Sequence, residues 1–180
     1  MIARPGFPAR GKKMRMTIDP RAAAAAAIAA LCACAAAASE PTKLSAAEAR
    51  GRYLVLTAGC NDCHTSGYAL ANGRIEESKW LTGDIVGWRG DWGTTYAPNL
   101  RLTAARLTAK EFMDLARSPL RPPMPFFNLR AMTDEDVGAI YAYLRKLGPA
   151  GAMAPAYVPP DETPAGPFVQ FPPAPPGATP

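Results

Sequence analysis

An all-α domain of three to five short helices is the fold that this sequence of 180 residues predicts. Three observations carry the prediction. Two segments open with the reciprocal capping pattern that starts helices, and a third opens on a cluster of acids ahead of an apolar stripe. The pentapeptide Cys60-Asn61-Asp62-Cys63-His64 directly follows the first of them, and no βαβ pattern surrounds it.

The N-terminal forty residues read as an export signal rather than as fold. Arg4, Arg10, Lys12, Lys13, Arg15 and Arg21 form a basic lead, and residues 22–38 run without a charge and mostly as alanine. Small residues around Ala38 and Ser39 offer a cleavage site. A bilayer span needs about 20 strongly apolar residues, and this stretch is both short and weakly apolar. Translation starting at Met14 or Met16 would shorten the lead. Leu31-Cys32-Ala33-Cys34 has the look of a lipoprotein box, so residues 1–39 are either a signal peptide or a lipoprotein signal that leaves a lipidated Cys34. Six of the 20 basic residues and one of the 15 acidic residues lie in residues 1–38, which leaves 14 of each. The isoelectric point near 9.2 therefore belongs to the signal. It is no argument for nucleic acid as a partner.

A linker reaches Lys43. Ser45 and Glu48 then form a capping box for a helix that runs to about Leu56. Gly51 interrupts it at a cost of about 1 kcal/mol relative to alanine, which implies close approach of another backbone or a ring. The pentapeptide follows after Gly59. Its two cysteines stand one helical turn apart, so both sulfurs can reach the vinyl groups of a haem, and His64 is carried beneath the iron. His64 is the only histidine in the chain. A structural zinc site would need about four ligands, for which only Cys32 and Cys34 remain. The cofactor expected is one haem c, covalent through Cys60 and Cys63, with His64 as a ligand to the metal.

Residues 66–93 contain Trp80, Trp88 and Trp92 and read as an ordered loop with at most a short helical turn. The tryptophans pack either on the porphyrin or in a small satellite core of their own. Thr108 and Glu111 cap a second helix that ends near Arg117, before Pro119. Thr133-Asp134-Glu135-Asp136 starts a third, with Val137, Ile140, Tyr141, Leu144 and Leu147 as its apolar stripe and Gly148-Pro149 as its stop. Residues 149–180 form an extended proline-rich tail, lying partly on the domain through Tyr157, Phe168, Val169 and Phe171.

With no second histidine, a methionine is the expected sixth ligand. Met124 stands in Arg121-Pro122-Pro123-Met124-Pro125, where flanking prolines stiffen the loop that must hold a weak Fe–S bond. Met132, beside the start of the last helix, is the second choice, and Met113 lies within a helix. Phe126 and Phe127 are placed to exclude water.

Taken together, residues 44–147 resemble the class I cytochromes c, with the haem motif near the N-terminus and a distal methionine. The resemblance implies that the carbonyl of Pro98, in Pro98-Asn99-Leu100, accepts a hydrogen bond from the His64 ring. It also implies that Gly51 packs on Tyr143 or Tyr141 of the last helix. The haem site is then Cys60, Cys63, His64, Pro98 and Met124. The last helix is similar to cytochrome subunits that take electrons from periplasmic alcohol and sugar dehydrogenases, whereas class II cytochromes carry the motif at the other end of a bundle. The function implied is one-electron transfer, not catalysis, in the bacterial periplasm, either soluble or anchored by lipid. The partners are a redox donor and acceptor, an alcohol or sugar dehydrogenase among the candidates. Two alternatives stay open: a fixed haem subunit of a dehydrogenase complex, and a haem sensor or enzyme with a labile sixth position, for which Tyr96 or Arg101 would be the distal acid–base group.

N-terminal sequencing of the exported protein is expected to find a start near Glu40, or at a lipidated Cys34. An intact Met1 on exported, haem-loaded protein would reject both.

Overall fold

The computed structural model describes residues 43–172, and the expected signal lies outside them. The elements in chain order are α1 (Ala46–Thr57), α2 (Cys60–His64), a 3₁₀ turn (Glu77–Lys79), β1 (Gly87–Gly90), β2 (Gly93–Tyr96), α3 (Leu100–Arg106), α4 (Ala109–Arg117), α5 (Phe126–Ala131), α6 (Asp134–Leu147) and β3 (Phe168–Gln170). Capping fixes where the principal helices begin. Ser45 Oγ accepts from Glu48 N at 3.2 Å, while Ser45 N donates to Glu48 Oε2 at 2.7 Å. Thr108 and Glu111 repeat the box on α4, and Thr133 Oγ1 accepts from Asp136 N on α6. Each such cap is worth about 1 kcal/mol. Three acids in the first turn of α6 and Arg145 and Lys146 in its last complement the helix dipole.

The core forms where α1 crosses α6. Leu54 and Val55 meet Val137, Ile140, Tyr143 and Leu144, all buried, and Trp80, Leu81, Ala104, Phe112 and Ala116 complete the cluster. Gly51 lies at the contact itself. A Cβ there would run into the carbonyl oxygen of Ala139 and come within 2.8 Å of Tyr143 Cβ. Tyr143, not Tyr141, is thus the aromatic beside Gly51, and the closest neighbour is backbone. Tyr141 serves elsewhere, donating from its hydroxyl to Leu107 O at 2.9 Å.

Polar groups fasten the loop onto this crossing. Arg52 donates through Nε and a terminal nitrogen to Glu77 at 3.0–3.1 Å, and the Tyr143 hydroxyl donates to Glu77 Oε1 at 2.5 Å. Arg52 also lies over the Trp80 ring, whose indole nitrogen donates to Ile75 O at 2.8 Å. Arg101 is 6% exposed, and among the described residues it pairs with backbone carbonyls. It donates to Gly148 O and Leu147 O at 2.5 Å and to Ser78 O at 2.7 Å, so its charge closes the negative end of α6.

The fold departs from the all-α expectation in two ways. Six α-helices stand among the described residues rather than three to five, because the haem-motif turn, Leu100–Arg106 and Phe126–Ala131 each form a short helix of their own. The tryptophan loop also carries a hairpin, β1 antiparallel to β2, and β3 from the tail pairs parallel with β1. Trp88 and Trp92 pack on Phe171 at 5.8 and 5.4 Å between ring centroids, while Arg89, on the other face, donates to Pro160 O and Glu162 O. Two of the tryptophans thus share a satellite cluster with the tail, and Trp80 belongs to the main core.

Gly51→Ala is expected to lower stability by about 2 kcal/mol or more through overpacking, read as a fall in the thermal midpoint. An unchanged midpoint would mean that α1 and α6 part without cost. A second expectation concerns acid. The Arg52 hydrogen bond holds the Glu77 carboxyl below its ordinary value, outweighing partial burial, and Tyr143 adds to it. Unfolded, Glu77 takes up its proton near about pH 4.3. This contribution is therefore present above that pH and is lost as pH falls through the lower, folded value. Urea unfolding at stepped pH should show the slope, and Glu77→Gln should flatten it.

Candidate haem site

The site starts at Gly59, the N-cap of α2, where φ of 71° lets the chain leave α1 and re-enter a helix at once. The single turn of α2 sets Cys60 and Cys63 as free, partly buried thiols and carries His64 inward to 6% exposure. Side chains around the turn lock it. Thr65 Oγ1 donates to Asn61 Oδ1 at 2.7 Å and accepts from Leu81 N at 2.8 Å. Gly83 N donates to His64 O at 2.8 Å. Gly83 has φ of 84°, and a Cβ there would come within 2.9 Å of Asn99 N, so only glycine lets this strand of loop pass between the motif and the Pro98 segment.

His64 Nδ1 lies 2.8 Å from the carbonyl oxygen of Pro98. A carbonyl only accepts, so Nδ1 carries the proton and the lone pair is left on Nε2. Burial pushes the His64 pKa down, outweighing the Pro98 bond that raises it, and the ring is the neutral, ligating form at neutral pH. Burial pushes the Cys60 thiol up to about 11, and Asp62 adds to the rise; Cys63 moves the same way, again chiefly through burial. Both sulfurs are held as thiols, the form that adds across a vinyl group to give a thioether. Two such thiols one turn apart, beside an imidazole already oriented by its second nitrogen, suit a covalent haem. Among the described residues no three His, Cys, Asp or Glu side chains cluster to hold a free metal ion.

Pro98 is itself held. Asn99 Oδ1 caps α3 by accepting from Leu102 N at 3.0 Å, and its Nδ2 donates to Ala150 O and Ala152 O at 2.7 and 3.1 Å. The methionines divide by surroundings. Met113 and Met132 pack against the main core, and Arg117 binds the Met132 carbonyl at 2.9 Å while pairing with Asp134. Met153 is 62% exposed. Met124 is half-buried in a turn closed by its N–H on Arg121 O at 3.2 Å, immediately before α5. Phe126 is half-buried under Arg130, whereas Phe127 is 63% exposed and packs edge-on against Phe126.

The residue pattern made Cys60, Cys63, His64 and Met124 visible as candidates, and the family resemblance added Pro98. Thr65, Asn61 and Gly83 were not legible beforehand. The threonine directly after the histidine, and the glycine two residues beyond buried Leu81, were the available signals.

Comparison with known proteins places these features in one frame. The family model for cytochrome c matches residues 48–148. The chain is 29% identical over 128 residues to the fructose dehydrogenase cytochrome subunit of Gluconobacter japonicus, covering 65% of this chain and 25% of that protein. It thus spans about a quarter of that relative's length. No solved structure matches. The matched segment starts in the first turn of α1, runs through the haem motif and the Met124 turn, and ends at the glycine that closes α6; on that extent the chain belongs to the cytochrome c family.

Proposed function

We propose that the protein carries single electrons through one haem c, attached by thioethers at Cys60 and Cys63 and ligated by His64 and Met124. The His64 Nδ1–Pro98 bond at 2.8 Å is the observation that carries the reading, because it presents a neutral Nε2 lone pair from the chain's sole histidine. Bound there, the haem supplies an iron that cycles between ferric and ferrous. The chain's part is to hold the ligands, keep water from the iron and tune its potential, which a thioether ligand raises relative to water. Met124 is favoured as the sixth ligand because Met113 and Met132 are engaged with the core, whereas Met124 stands in a proline-stiffened turn.

The location is the bacterial periplasm, reached by an export signal in residues 1–39, with the mature chain either free or held by a lipidated Cys34. Fourteen basic and fourteen acidic residues beyond residue 38 leave that chain near neutral. Its partners are met with little electrostatic steering, or they stay bound. The similarity to a fructose dehydrogenase cytochrome subunit supports a sugar or alcohol dehydrogenase as donor. The same similarity keeps the fixed-subunit reading alive, and a dehydrogenase co-purifying in stoichiometric amount would favour it over a free carrier. A sensor or peroxidase-like role is disfavoured by Arg101, whose donors are committed to the end of α6 and to Ser78 O, and by burial of Tyr96.

The test uses protein matured with haem in the periplasm. Ferric protein should show the weak charge-transfer band near the red end of the spectrum that marks a methionine ligand. Met124→Ala should lose that band and lower the potential, and Met132→Ala and Met113→Ala should keep both. Mass spectrometry should find one haem on the denatured chain and none on the Cys60→Ala, Cys63→Ala double variant. If Met132→Ala alone removes the band, the ligand is misassigned; if no methionine matters, the sixth site is open and the sensor reading is the better one.

A further inference from the structure

Residues 149–158 form no helix and bend at Pro149 and Gly151; the segment meets Asn99 at one end and Arg121, in the methionine turn, at the other. At one end Asn99, next to Pro98, holds Ala150 O and Ala152 O. At the other, Val158 exchanges both backbone hydrogen bonds with Thr94 of β2, at 2.7 and 3.0 Å. Tyr157 lies just before that bridge. Its hydroxyl donates to Trp92 O at 2.7 Å, and the Arg121 guanidinium lies 4.3 Å from the centre of its ring. Gly93 makes room for this seat. Its φ is 98°, and a Cβ there would come within 2.8 Å of the Tyr157 hydroxyl.

Arg121 is three residues from Met124, and the two between them are prolines. The Arg121 carbonyl accepts the Met124 N–H, closing the turn. Proline fixes φ at both intervening positions, so little freedom separates the anchored arginine from the methionine. We propose that the proline-rich tail braces the methionine turn, with Tyr157 as a positioning residue that holds Met124 through Arg121. This rests on Met124 as the sixth ligand. The brace joins the segment that orients His64 to the turn that carries Met124, so its loss frees the distal ligand without touching the proximal one.

Cyanide binding to the ferric holoprotein reads this directly, because cyanide must displace the thioether from the iron. Tyr157→Ala and Arg121→Gln should each accelerate cyanide binding about two- to five-fold, the range expected for losing one exposed cation–ring contact. Tyr157→Phe keeps the ring under Arg121 and should stay near the wild-type rate. The double variant Tyr157→Ala, Arg121→Gln should be no faster than either single one, since both remove the same contact. Phe168→Ala, in the tail beyond the brace, should change nothing. Circular dichroism and haem content establish that each variant is folded and loaded. Wild-type rates in both single variants, or additive effects in the double, would overturn the brace. Met124→Ala serves as the reference: if it leaves the cyanide rate unchanged, the ligand assignment fails, which is a separate outcome from silent Tyr157 variants on a responsive Met124.

Discussion

Two helix backbones touch where Gly51 of α1 meets Ala139 and Tyr143 of α6, and most of the other contacts are organised around that approach. Any side chain at residue 51 would hold the helices apart, and the cluster of Leu54, Val55, Ile140 and Leu144 would lose its packing. The crossing also fixes Tyr143, whose hydroxyl, with Arg52, seats Glu77 and so the loop that follows the haem motif. Because α2 hangs from the end of α1 by only Ala58 and Gly59, the orientation of α1 sets where Cys60, Cys63 and His64 come to rest.

The haem-binding geometry is assembled from loops laid over this frame. The motif turn supplies both thiols and the imidazole within five residues, so its internal geometry is local. Orientation of the imidazole is not. It depends on a carbonyl 34 residues away, delivered by a loop that Gly83 allows to pass close by and that Asn99 ties down. Burial favours the neutral ring of His64 and the protonated thiols of Cys60 and Cys63. One physical cause, partial exclusion of water from α2, shifts all three side chains toward their uncharged forms.

The hairpin and the tail are where this chain elaborates on the helical frame. Arg89 reaches two tail carbonyls from one face of the sheet while Trp88 and Trp92 hold Phe171 on the other. A segment rich in proline, without helix of its own, is kept in place by its neighbours' donors and by the few donors of its non-proline residues, among them Tyr157, Val158 and Phe171. That arrangement gives residues 149–172 a defined course past both the Pro98 segment and the Arg121 turn.

Helix starts were legible from the sequence because capping is local: Ser45, Thr108 and Thr133 each bond a backbone three residues on, whatever the rest of the chain does. The haem motif was legible for the same reason, its chemistry lying within one turn. Gly51 announced a close approach, since glycine inside a helix is otherwise costly. The sequence could not announce that the neighbour would be a backbone carbonyl on α6. Nor could it reveal the hairpin: strands of four residues are too short to display an alternating pattern, and β3 lies some 80 residues from the strand it pairs with. That Met113 and Met132 both pack against the core, and that Arg101 joins the end of α6 to Ser78, were decided only by tertiary contacts. Those depend on distances between segments remote in the chain, which no local spacing encodes.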